Sequence, residues 1–169
     1  MKTIVSLTWL GLVALWSSLV FAEDAQQKML AEMEKCAVCK HMAEKPELMK
    51  DMTWETHKIE DGMLCLTTVP KEKKKEFDAL GAKMMQAINK VKADAKQGKE
   101  VELCSLCAGT GELHKSGAKM QYIDTHSGAI HIVTSDDAAI VKKIHAFADK
   151  AIAEQKKMQQ HEERTASLR

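Results

Sequence analysis

Few aromatic residues and no excess of charge of either sign limit what this chain can do. It has three tryptophans, one tyrosine and three phenylalanines in 169 residues. Trp9, Trp16 and Phe21 fall in the first apolar stretch, leaving Trp54, Phe77, Tyr122 and Phe147 for the rest. Four scattered rings are too few for a platform on which nucleic-acid bases stack. Basic side chains number 25 and acidic ones 24. Such a balance gives no electrostatic reason to expect nucleic acid or an anionic membrane as partner. Beyond residue 22 no stretch is apolar enough to span a bilayer. The sequence also lacks a nucleophile–base constellation, a phosphate loop and a paired-carboxylate motif, so nothing in it argues for an enzyme.

The apolar residues that do run together lie at the start, MKTIVSLTWLGLVALWSSLVFA. Lys2 is the only charge before Glu23, and Val20-Phe21-Ala22 has the small residues of a cleavage site. This pattern is that of a secretory signal peptide over residues 1–22, with a mature chain from Glu23. An uncleaved anchor is the rival, but the stretch is short for a spanning helix. No cysteine follows the cut, as a lipoprotein would need. The expected location is periplasmic or secreted, with no membrane span after cleavage, and disulfides can persist there. The remainder is one domain's worth of chain. Methionine is abundant, with 11 in the chain. Most of these suit an irregular core, though the thioether is also a soft copper ligand.

The chain reads as duplicated. Aligning MTWETHKIEDGMLCLTTVPKEKKKEFDALGAKM with AKMQYIDTHSGAIHIVTSDDAAIVKKIHAFADK sets Gly62 on Gly128, Leu64 on Ile130, Leu66 on Ile132 and Thr68 on Thr134. Each copy reads strand, glycine turn, strand, helix. Pro70 opens one helix, and Ser135-Asp136-Asp137 caps the other. Phe77, Leu80, Met84, Ile88 and Val91 recur at helical spacing in the first, and Ile140, Ile144, Phe147 and Ala151 in the second. The expected fold is α+β: two strand–strand–helix repeats, about residues 30–97 and 98–157, in one domain over 23–160. They form an antiparallel sheet packed with helices around a pseudo-two-fold axis, since neither unit can bury its apolar face alone. The segment Asp24 to Ala43 reads as helical, as does the segment after Gly98 up to Gly109. Residues 158–169 read as a polar C-terminal tail.

Upstream of each hairpin lies a CxxC pair, Cys36 and Cys39 in KCAVCKHM, Cys104 and Cys107 in LCSLCAGT. On a helix, positions i and i+3 share a face, so both thiolates of a pair can reach one ion. If the axis brings the pairs together, they make one tetrahedral Cys₄ site. In an exported chain disulfides among the same four cysteines compete with metal. Covalent haem would need histidine after the second cysteine, where Lys40 and Ala108 stand. A thioredoxin-type catalyst would need its CxxC at a helix start after a buried strand, whereas Cys36 follows a charged helical run. Cys65 and His131 occupy equivalent mid-strand places, sharing a sheet face with Met63 and Val133. They are second-tier ligand candidates, the simpler reading being a small buried cysteine and a solvent-facing histidine. His57, His114, His126, His145 and His161 have no spacing that demands a metal.

The stretch Cys36-Ala37-Val38-Cys39-Lys40-His41-Met42 resembles the CPVCGM opening of small copper-handling modules, such as the nitrous-oxide-reductase accessory protein NosL and YHS/TRASH-type domains. The repeated strand–strand–helix pattern is similar in outline to the NosL plan. The resemblance implies Cu(I) or a related ion held by cysteine and methionine, and it adds Met42 to the second tier. Lys40-His41 replaces the single glycine of that motif and shifts the methionine by one, and the second cysteine pair of TRASH-type domains is missing after Cys65. The residues and the resemblance together point to an exported soft-metal-binding protein. It would be a Cu(I) or Zn(II) carrier, sensor or chaperone, with a metal-donating or metal-receiving protein as partner. A disulfide-stapled structural or binding protein is the alternative, and a thiol–disulfide oxidoreductase the third reading.

Overall fold

The computed structural model describes residues 30–167, with side chains described as far as Lys156. The expected signal peptide over residues 1–22 and the start at Glu23 lie outside the described residues.

The alternating strands pair as two hairpins. Thr53–Ile59 forms β1 and Gly62–Thr68 forms β2; Lys119–Thr125 forms β3 and Gly128–Thr134 forms β4. The order β1-β2-β4-β3 makes one antiparallel sheet, as the alternation predicts. The inner strands join the repeats: Gly62 pairs with Thr134, Cys65 with His131 and Thr68 with Gly128. This register is unchanged when the repeats are exchanged, and its centre is the Cys65–His131 pair. The exchange holds for hydrogen bonds too. Val69 N–H donates to the Ser127 carbonyl at 2.8 Å, and its counterpart Ser135 N–H donates to the Asp61 carbonyl at 3.0 Å.

The two aligned glycines have a different reason from the expected one. Ile59 pairs with Gly62 and Thr125 with Gly128, so the loops are Glu60-Asp61 and His126-Ser127 and the glycines begin the inner strands. A Cβ on Gly62 would lie 1.9 Å from the Val133 carbonyl oxygen; one on Gly128 would lie 1.9 Å from the Thr67 carbonyl oxygen. The close approach of β2 to β4 excludes a side chain at both ends of their shared ladder. Gly128 also has φ +150°, which L side chains avoid.

Both long helices cover the same sheet face. A 3₁₀ turn over Lys71–Lys73, entered from Pro70, leads into Lys74–Lys96, labelled α4 below. The other helix is Ala138–Ser167, labelled α6. Its start is capped: Asp137 N–H donates to Ser135 Oγ at 3.1 Å, and Ala139 N–H to Asp137 Oδ1 at 2.7 Å. It runs on through residues 158–167 of the stretch read as a polar tail. Each helix completes its core with the other repeat's inner strand. Phe77 and Leu80 of α4 cluster with Ala129 of β4, while Ile144 and Ala148 of α6 cluster with Met63 of β2 and Val133. Full burial of such side chains stabilises by about 1.5–3 kcal/mol each, so the interlock accounts for much of the fold.

Two expected helices differ from the sequence reading. Between residue 30 and Ala43 the helix is broken: α1 covers residues 30–35, residues 36–39 turn, and α2 is Lys40–Ala43. A short α3 follows at Pro46–Lys50, with proline at its first turn and Leu48 buried. After Gly98 the chain has no regular structure until α5, Ser105–Lys115, which passes straight through Gly109 and Gly111. Gly109 is needed there because a Cβ would sit 2.6 Å from the Phe147 ring of α6.

Candidate metal centre

The break between α1 and α2 makes the first half of the site. Cys36 N–H still donates to the Glu32 and Met33 carbonyls, at 3.1 and 3.2 Å, so Cys36 closes the helix. The chain then folds back over the sulfur: Cys39 N–H donates to Cys36 Sγ at 3.4 Å and Lys40 N–H to the Cys36 carbonyl at 3.1 Å. The second half repeats this. Cys104 is extended at ψ 165° and caps α5, and Ala108 N–H donates to the Cys104 carbonyl at 2.9 Å. Cys107 N–H bonds back to Cys104. In the first pair a tight turn between α1 and α2, and in the second the first turn of α5, brings the two sulfurs to the same side. Ala37 N–H donates to the Glu102 carbonyl at 2.9 Å and stitches the two segments together.

All four sulfurs converge, lying within 4.8 Å of one another. Cys39 Sγ is 3.6 Å from Cys104 Sγ and 3.3 Å from Cys107 Sγ. A regular tetrahedron of thiolates around zinc, with bonds of ~2.3 Å, has edges of about 3.8 Å. The cluster needs only small adjustments to hold one ion. Among the described residues, no disulfide joins any of the five cysteines.

The surroundings are apolar. Cys36 is fully buried, Cys39 and Cys104 are buried, and Cys107 is half-buried. Met33 and Val38 complete the buried cluster, with Ile88 and Val91 of α4 and Leu103 packed against it. Thiols this close cannot all ionise unaided. Hydrogen bonds, first from Cys107 and then from Cys39, draw the Cys104 thiol down to about 2. Cys39 is pushed up, first by its hydrogen bonds with Cys104 and Cys107 and then by burial. Cys107 is pushed up chiefly by Cys104. These opposed shifts keep protons on part of the cluster, so a cation entering it must displace them.

Of the second-tier residues, Cys65 and His131 lie apart from this cluster, whereas Met42 packs against it. Cys65 and His131 face each other across β2 and β4 on the helix-covered side. The Cys65 thiol packs in the core cluster of α6, is pushed up by burial, and lies 3.5 Å from Thr56 Oγ1. His131 is half-buried, not solvent-facing, and burial lowers its pKa. Met42 packs between the cysteine cluster and the Phe77 cluster, as a core methionine does. Of the remaining histidines, His57 lies 3.1 Å from Glu55 and His145 Nε2 donates to the Ile59 carbonyl at 2.9 Å. Neither the turn geometry nor the Ala37–Glu102 link has a signal in the sequence beyond the CxxC spacing itself. Comparison with protein-family models, curated proteins and solved structures gives no match.

Proposed function

We propose that this chain is an exported soft-metal-binding protein whose Cys36, Cys39, Cys104 and Cys107 hold one ion as a tetrathiolate. The convergence of four largely buried sulfurs carries the reading. Four thiolates within reach of one ion suit Zn(II) best, and Cu(I), which the resemblance to copper-handling modules favours, is the next choice. A set with four protein ligands leaves no position for water or substrate, which supports a binding rather than a catalytic centre. Cys107, the one half-buried ligand, is where an incoming or leaving ion would exchange with a donor or acceptor protein, consistent with a carrier or sensor.

A second reading has a specific observation behind it. Cys39 and Cys107 sulfurs at 3.3 Å are close enough to be oxidised to a disulfide in an exported chain. One experiment separates the two. Metal content and free thiols are measured on the protein from its native compartment, alongside a Cys36→Ser/Cys39→Ser variant. The metal reading expects about one ion per chain, lost in the variant, with four thiols that become titratable when the ion is chelated. Absence of metal, with Cys39 and Cys107 joined and at most Cys36, Cys65 and Cys104 titratable, would establish the disulfide reading instead.

A further inference from the structure

The sheet has a second face that the described residues leave bare. On the covered face, Lys58 pairs with Asp149, Gln155 donates to Thr56, and Lys74 pairs with Asp124, so both α4 and α6 lie there. The opposite face carries Leu64 and Leu66 of β2, Ile130 and Ile132 of β4, and Ile123 of β3. None of these five belongs to a core cluster of the described residues. Leu64 pairs directly with Ile132 and Leu66 with Ile130, and Ile123 extends the second row at 36 % exposure. They form one contiguous apolar patch at the centre of the sheet, the kind of surface that marks an interaction site.

We infer that this face is the interface of a reversible homodimer, two copies packing sheet to sheet. The register shows why a second copy fits. Two rows cross the sheet: Glu55, Leu66, Ile130, Ile123 and His57, Leu64, Ile132, Gln121. A two-fold axis parallel to these rows, lying between two stacked sheets, sets each row over the other row of the second copy. Leu66 then meets Leu64, Ile130 meets Ile132, and Glu55 meets His57, twice over by symmetry. The acid and imidazole are exposed and already lie 3.1 Å apart within one chain, so both can turn to a partner. An axis along the strands would instead set Glu55 over Ile123, burying a charge without a partner. The chain's net charge of +1 opposes association little. Four strands of seven residues span about 19 by 24 Å, or roughly 450 Å² of footprint per copy, counted from strand spacing and rise. Doubled, this falls just under the ~1,000 Å² of a stable specific interface, which makes the dimer a weak one.

Sedimentation velocity of the metal-loaded chain, in the form its cell releases, tests this over roughly 1–500 µM. A concentration-dependent dimer is expected. Leu66→Lys should abolish it while leaving far-ultraviolet circular dichroism and metal content unchanged. Glu55→His alone should weaken it by about tenfold, and Glu55→His with His57→Glu should restore it, because the exchange preserves the cross-copy pairs. Those two rim variants keep the test valid if Leu66→Lys fails to fold. A wild-type chain that stays monomeric throughout, a dimer that survives Leu66→Lys in folded form, or a double variant no better than the single one would overturn the proposal.

Discussion

Replacing each of the two aligned glycines by alanine separates the effect of close strand approach from that of backbone conformation. Both methyl groups would be built 1.9 Å from a carbonyl oxygen of the facing inner strand, Val133 for Gly62 and Thr67 for Gly128. Reaching ordinary contact needs a local parting of β2 and β4 by roughly 1.5 Å. That breaks the two ladder bonds nearest each site, at about 1 kcal/mol apiece, and loosens the packing beside them. Gly62→Ala should therefore cost about 2–4 kcal/mol. Gly128→Ala meets the same obstruction and adds the strain of φ +150°, another ~1–3 kcal/mol. In a domain of this size each kcal/mol lowers Tm by about 2–4 °C. Urea and thermal unfolding of the metal-loaded protein, followed by circular dichroism, measure both variants. The account is refuted if either lies within about 0.5 kcal/mol of wild type, or if Gly62→Ala is the more damaging of the two.

Other parts of the structure are tested by smaller changes. Ile144, fully buried between α6 and the sheet, should lose about 2–5 kcal/mol on truncation to alanine, read from the shift in urea midpoint at unchanged slope. Burial lowers the pKa of His131 in the folded protein, so the unfolded chain takes up the proton first as pH falls. Stability from this residue is complete above ~6.5 and is lost as pH drops below it; unfolding of His131→Gln between pH 7 and 5 should lack that part of the slope. Cys65→Ser should leave metal content unchanged, because Cys65 packs in the α6 core away from the four-sulfur cluster, and elemental analysis of that variant checks it.

The sheet and its helices were legible because their signals are periodic. Alternation in residues 62–68 and 128–134 separates Leu64 and Leu66 from Met63 and Cys65, as the register does. Phe77, Leu80 and Ile144 fall inward at the helical spacing that marks them. The cysteine pairs were legible as pairs, and their meeting followed from reading the chain as a repeat. What the sequence hid depends on tertiary contact. The turn at residues 36–39 replaces a helix that local propensity favours, because the Ala37–Glu102 bond and the N–H···S bond stabilise the turn. Gly109 reads as a helix stop but lies within α5, where the Phe147 ring fills the space a side chain would take. Gly62 and Gly128 read as turn residues although the neighbouring strand is what requires them. The inner strands are apolar on both faces of the sheet, and alternation alone cannot say which face the helices choose.

The coordination sphere tests the central claim most directly. X-ray absorption at the metal edge, on protein purified from its native compartment with its metal content measured, reports the ligands around the ion. The account predicts one ion per chain bound by four sulfurs, at ~2.3 Å if it is zinc, with no nitrogen or oxygen in the first coordination shell. A sphere containing imidazole or water, or a protein free of metal whose Cys36, Cys39, Cys104 and Cys107 are oxidised, would contradict it.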